Sequence, residues 1–153
     1  MKPKKRYIPL IVLLIGAILL IGGCSKPYID PYNDGVDAAN EGTDHFELAN
    51  VYFEAGDYTA AALEFEEASD KYALALQHFK KALGLAVNSQ QRNDVSSTNS
   101  RCHYTKLAAD SLRDAAIHYQ RGEHDAALFD EKLASEYLDV HGGPLTKRKH
   151  ISW

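Results

Sequence analysis

The sequence predicts an all-α protein, built as antiparallel helical hairpins in a four-helix bundle behind an N-terminal signal and anchor. Three observations predict it. No proline occurs between Gly35 and Pro144, and proline is the residue that most reliably breaks helices. Ala61, Phe65, Ala68, Tyr72, Ala75, Phe79 and Leu83 follow one another at steps of four and three, the spacing of a single stripe on a helix. Gly56 and Gly122 each fall between two such stripes, where a glycine closes one helix and the next begins, making two hairpins.

The first element is not part of that fold. Lys2, Lys4, Lys5 and Arg6 precede the apolar run IPLIVLLIGAILLI at residues 8–21, which is followed by Gly22, Gly23 and Cys24. A basic start, an apolar middle and small residues before a cut describe an export signal over residues 1–23. The 17 residues from Tyr7 to Gly23 are at the lower limit for crossing a bilayer core of about 30 Å, so a single N-terminal transmembrane anchor is the alternative. Both readings leave the remainder outside, because the basic end stays in the cytoplasm.

Ile21-Gly22-Gly23-Cys24 resembles the lipobox of prokaryotic lipoproteins. The resemblance implies that the Cys24 thiol receives a diacylglyceryl group and that the chain is cut just before it. The mature protein is then a lipid-anchored extracytoplasmic one. Cys102 is the only other cysteine, so lipidation of Cys24 leaves it without an intramolecular partner and excludes a disulfide framework.

Residues 24–35 hold two prolines, a glycine and polar side chains; they read as an extended tether. The helical domain is expected over residues 36–141. Its first helix runs over residues 36–55, with Val36, Ala39, Phe46, Ala49 and Tyr52 or Phe53 inward. Gly56 closes it and Asp57 caps the next. The second helix carries the stripe already described. Residues 88–100, NSQQRNDVSSTNS, are almost devoid of apolar side chains. They read as a loop or, in their first part, as an extension of the second helix. A third helix over residues 101–121 has Tyr104, Ala108, Leu112, Ala115 and Tyr119 inward. A fourth over residues 125–140 has Ala126, Phe129, Leu133, Tyr137 and Val140 inward. Residues 142–153 form a basic tail containing Lys147, Arg148, Lys149 and Trp153. The expected state is a frayed end. Contact with anionic headgroups or with the acidic face of the same domain is the alternative.

Residues 49–68, ANVYFEAGDYTAAALEFEEA, resemble a tetratricopeptide repeat, with Ala49, Tyr52, Gly56-Asp57-Tyr58, Ala61, Phe65 and Ala68 in the family's places. Residues 115–134 are a weaker copy: Ala115, Gly122, Ala127 and Ala134 match, but His118 and Glu131 stand where aromatics belong. The two turn glycines are 66 residues apart, near twice the family's period of about 34. The proline after the second helix is missing. The resemblance implies a repeat-like bundle that binds peptides or proteins in a helical groove and has no chemistry of its own.

Charge narrows the partners. Without the four basic residues of the signal, 13 basic residues face 21 acidic ones, a net of −8. Residues 27–70 hold twelve Asp and Glu and no Lys or Arg. Nucleic acid is excluded, since phosphate binding needs a basic footprint. Asp30, Asp34, Gly35 and Glu41 fall at places of a calcium loop, but Tyr32 and Ala38 occupy ligand places, so no calcium site is expected. The histidines do not complete a metal-ligand spacing. Cys102 and His103 are adjacent, about 100° apart on a helix, and cannot act as a nucleophile–base pair. No cofactor or catalytic motif is present. The expected function is a non-enzymatic, membrane-anchored domain that binds or scaffolds another extracytoplasmic or membrane protein. An accessory ligand- or metal-binding lipoprotein, using the acidic region, is the alternative.

Overall fold

Four helices account for 82% of the described chain. In the computed structural model, which describes residues 27–151, α1 spans Ile29–Glu54, α2 Tyr58–Leu85, α3 Ser89–Gln120 and α4 His124–Asp139, and no strand occurs among the described residues. The expected signal and Cys24 lie outside them. The fold is all-α, as expected, with adjacent helices packed on one another.

The two hairpin turns are made alike. Gly56 and Gly122 have φ of +78° and +74°, a conformation glycine adopts without penalty. Beyond Gly56, the Asp57 N–H returns to the Tyr52 carbonyl at 2.9 Å; beyond Gly122, the Glu123 N–H returns to that of His118 at 2.9 Å. Each bond satisfies a carbonyl that the helix end leaves free. Asp57 then caps α2 by accepting the Ala60 N–H at 3.1 Å.

The α2 stripe forms the core. Ala61, Phe65, Ala68, Tyr72, Ala75 and Phe79 are fully buried, and Leu83 packs partly against them. On α1, Val36, Ala39, Phe46 and Ala49 face it. The helices come close because α1 carries notches. A Cβ on Gly35 would lie 2.6 Å from the Phe79 ring, and one on Gly42 would lie 3.0 Å from Tyr72. Gly35 and Gly42 are two turns apart, as are Tyr72 and Phe79, so each large ring of α2 meets a glycine of α1.

Three expectations are corrected. Residues 29–35 are helix rather than tether: α1 begins at Ile29, and Tyr28, Ile29 and Tyr32 are buried. Pro31 sits in the first turn, where its missing N–H leaves no bond unmade. Residues 89–100 are helix, not loop, capped by Asn88, which accepts the Gln91 N–H at 2.9 Å. The inward face of this stretch and the turn after it, Gln91, Val95, Thr98, Cys102 and Thr105, is mostly polar. It tolerates burial because Thr98 and Thr105 donate to the carbonyls four residues back, at 3.1 and 3.0 Å. On α4 the inward face is rotated from the expected one. Ala127 and Ala134 are buried, while Phe129 and Val140 are exposed. Small buried side chains on both helices, Ala127 and Ala134 of α4 and Ala108 and Ala115 of α3, suit the close packing of α4 on α3.

The helices succeed one another in a row. α4 packs on α3 and on neither α1 nor α2, and α1 touches α3 only lightly. Glu131 accepts a hydrogen bond from the Tyr119 hydroxyl across the α3–α4 contact; this bond holds the phenol proton and pushes its pKa up to about 12. Tyr119 also stacks on Tyr58 at 4.8 Å and meets Phe53 at 5.7 Å, which ties the turn ends of both hairpins together. Among the described residues no helix is long and apolar enough to cross a membrane.

Candidate functional site

Parallel α1 and α3 both pack on antiparallel α2, leaving a groove between them on the side away from it. The chain's own C-terminal segment lies in that groove, which corrects the expectation of a frayed tail. Contact with the domain's own acidic face, the alternative to fraying, is what the structure contains. Gly142 and Gly143, with φ of +73° and +110°, turn the chain back after α4, and residues 144–151 run antiparallel to α1.

Leu145 is the apolar anchor, 2% exposed. Its N–H donates to Thr105 Oγ1 of α3 at 3.0 Å, and its carbonyl accepts from Thr43 Oγ1 of α1 at 3.2 Å. Below it the Tyr72 hydroxyl meets Thr43 Oγ1 at 3.3 Å. Two asparagines of α1 hold the rest by its main chain. Asn40 donates to the Arg148 carbonyl at 2.9 Å and accepts the Arg148 N–H at 2.8 Å. Asn33 donates to the Ile151 carbonyl at 3.2 Å and accepts the Ile151 N–H at 3.1 Å. From Thr43 to Asn33 is ten residues of helix, about 15 Å. The tail crosses it in six residues, about 2.5 Å each, less than the roughly 3.3 Å of a fully extended chain. The extended part is Arg148 to Ile151, which spans Asn40 to Asn33, about 10.5 Å of helix.

Charge follows the same line. Lys147 meets Asp44 at 2.5 Å and His150 meets Asp37 at 2.6 Å; the bond to Asp44 raises the Lys147 pKa. Arg148 Nη1 donates to Thr98 Oγ1 at 2.8 Å, and Thr98 Oγ1 also meets the Tyr32 hydroxyl at 3.2 Å. Arg101 reaches the Pro144 carbonyl at 3.4 Å through Nη2, while its buried Nε has no partner among the described residues. A cleft of about 420 Å³ opens beside Ile151, lined by Tyr28, Ile29, Tyr32 and Val95 among others.

The other residues singled out in the sequence do not converge. Asp30, Asp34, Gly35 and Glu41 are spread along α1. His118 is bonded by Glu123 at 2.5 Å and lies 3.5 Å from Asp130. Among the described residues no group of three or more His, Cys, Asp and Glu is arranged to hold a metal. Sequence reasoning misses Asn33, Asn40, Thr43, Thr98 and Thr105. Their only sequence signal is polarity at helix positions whose neighbours are apolar.

Cys102 is fully buried, its thiol donating to the Tyr72 carbonyl at 3.6 Å. Burial pushes its pKa from 9.0 up to about 12. The folded state therefore keeps a proton that the unfolded chain loses. The stability this represents is present below pH 9 and is lost as pH rises toward 12, about 4 kcal/mol in all. We expect Cys102 to resist thiol reagents at pH 8 until denaturant unfolds the chain, and the urea midpoint to fall steadily above pH 9. Rapid native labelling, or a midpoint flat to pH 11, would contradict this.

The geometry defines a class, a row of helices with a main-chain-binding groove filled in cis. Compared with known protein families, curated proteins and solved structures, the chain matches none.

Proposed function

We propose that this chain is a lipid-anchored extracytoplasmic scaffold that binds another exported or membrane protein through its helical surface, without chemistry of its own. The observation that carries the binding half is the α1–α3 groove, whose asparagine carboxamides already hold a length of extended chain. Grooves that hold peptide segments are a common mode of recognition. The anchoring half is supported by the lipobox-like residues before Cys24, which follow an apolar run and a basic start. The likeness of residues 49–68 to a tetratricopeptide repeat supports the same reading, as does the row-like succession of helices.

The test is crosslinking in intact native cells from a photoreactive residue placed at Asp37, on the groove rim. The proposal expects one recurrent exported or membrane protein, its yield falling at least tenfold when residues 1–24 are exchanged for an export signal that is cut without lipid attachment, which releases the domain from the membrane. Recovery of no partner would count against it. A second reading, an accessory ligand-binding lipoprotein, draws on the cleft beside Ile151. A thermal-shift screen with small polar ligands and metals separates the two, since only this reading expects a rise in Tm.

A further inference from the structure

The tail meets α1 and α3 as a ligand meets a receptor, through its backbone. A carboxamide presents a donor and an acceptor in one plane, as a peptide group does. An asparagine bonded to both the N–H and the C=O of one residue therefore reads main chain and tolerates many side chains. Asn33 and Asn40 both do this. They stand seven residues apart on α1, about 10.5 Å. The residues they hold, Arg148 and Ile151, stand three apart, about 9–10 Å of extended chain. The two spacings match, so the pair is a ruler for any extended segment running antiparallel to α1.

Side chains add the selection. The wall buries an apolar residue at Leu145, takes a cation three residues later at Arg148, and meets an apolar residue three later again at Ile151. Asp44 faces the Lys147 cation, and Asp37 meets the imidazole of His150. The α1 side of the groove belongs to the stretch of chain with no Lys or Arg, so along Asp37 and Asp44 its charge favours a basic occupant and disfavours an acidic one. On the α3 side Arg101 meets only the Pro144 carbonyl.

The cis segment is also built to leave. It has no helix or strand of its own, and it hangs from two glycines at the end of α4. Its two acidic contacts are more than half exposed, and such pairs contribute little to stability. The buried Arg101 Nε beside it has no partner among the described residues. That donor is free for a carbonyl of a better-fitting occupant.

We propose that the α1–α3 groove is a receptor for an extended basic peptide segment of another protein, and that residues 144–151 are its built-in competitor. The groove stays closed until that segment displaces them. This inference rests on the binding reading above and names its site, its ligand chemistry and its control. A tethered competitor acts at an effective concentration of about millimolar. It lowers apparent affinity by the fraction of time the groove is open.

The test uses the full chain in detergent and a fluorescent synthetic peptide, GPLTKRKHI, copied from residues 143–151. The double variant L145S/I151S releases the tail and leaves the groove walls intact. We expect it to bind the peptide at least tenfold more tightly than the wild type does. Adding N33A/N40A should abolish that binding, and a scrambled peptide of the same composition should bind at least tenfold more weakly. Equal binding to the wild type and L145S/I151S, or binding indifferent to N33A/N40A, overturns the proposal. Should L145S/I151S fail to fold, hydrogen exchange on the wild type decides. The amides of Leu145, Arg148 and Ile151 are all bonded to groove side chains. They should exchange at least a hundredfold faster than those of Tyr72 and Phe79, by local opening. Equal rates would make the tail part of the core and overturn the inference. Cellular crosslinks mapping to α4 and sparing the groove would also overturn it, while leaving the scaffold reading in place.

Discussion

Replacing Tyr72 with alanine should cost about 3–5 kcal/mol of folding stability, a large part of the roughly 5–15 kcal/mol typical of a domain. Tyr72 is fully buried at the centre of α2, where three elements meet. Its ring fills the notch at Gly42, its hydroxyl bonds Thr43, and its carbonyl accepts the Cys102 thiol of α3. The alanine leaves a cavity that helices fixed at both ends cannot close. Tyr72→Phe isolates the hydroxyl. Thr43 keeps its bonds to the Ala39 and Leu145 carbonyls, so that change should cost only about 0.5–1.5 kcal/mol. Urea unfolding followed by circular dichroism measures both. A loss under about 1 kcal/mol for the alanine would contradict the packing described.

Gly35→Val should cost about 3 kcal/mol, at the upper end for overpacking. The new Cβ alone would stand 2.6 and 2.7 Å from two atoms of the Phe79 ring. That ring is fully buried and backed by Tyr32 at 5.6 Å between centroids, so it has nowhere to go. The added methyls must push α1 off α2. Gly84 is the contrasting case. It lies near the end of α2, and a methyl added there would meet nothing within 4 Å. Gly84→Ala should therefore stabilise the chain, by up to about 1 kcal/mol. A Tm unchanged or raised by Gly35→Val would refute the notch, and a Tm lowered by Gly84→Ala would refute the contrast.

Much of the fold is legible in the sequence because α2 and both glycine turns obey local rules. A stripe at steps of four and three, and a glycine followed by a cap, are signals within a few residues of one another. The failures have physical causes too. Gly35 and Pro31 resemble tether residues, yet one is a notch for Phe79 and the other sits harmlessly in a first turn. Residues 89–100 resemble a loop when hydrophobicity is the criterion. Their buried threonine satisfies itself within the helix, as Thr105 does further along, which no count of apolar residues detects. On α4 the large side chains, Phe129 above all, draw the expected inward face away from Ala127 and Ala134. Close approach in fact selects the small ones.

The groove is the least legible feature. It joins residues more than a hundred positions apart, as Asn33 to Ile151 and Asn40 to Arg148 are. The bonds run to backbone, so the partner sequence carries little trace of them. Only the opposite charges of residues 27–70 and the tail hint that the two ends meet.

Under the proposed function, export and lipid attachment at Cys24 present this groove outside the cell membrane. Intact-mass analysis of the full chain, extracted with detergent from membranes of native cells, is the most direct check. The expected product begins at Cys24 and carries a thioether-linked diacylglyceryl group. An unmodified chain that retains Met1, recovered from the soluble cytoplasmic fraction, would show the proposal to be wrong.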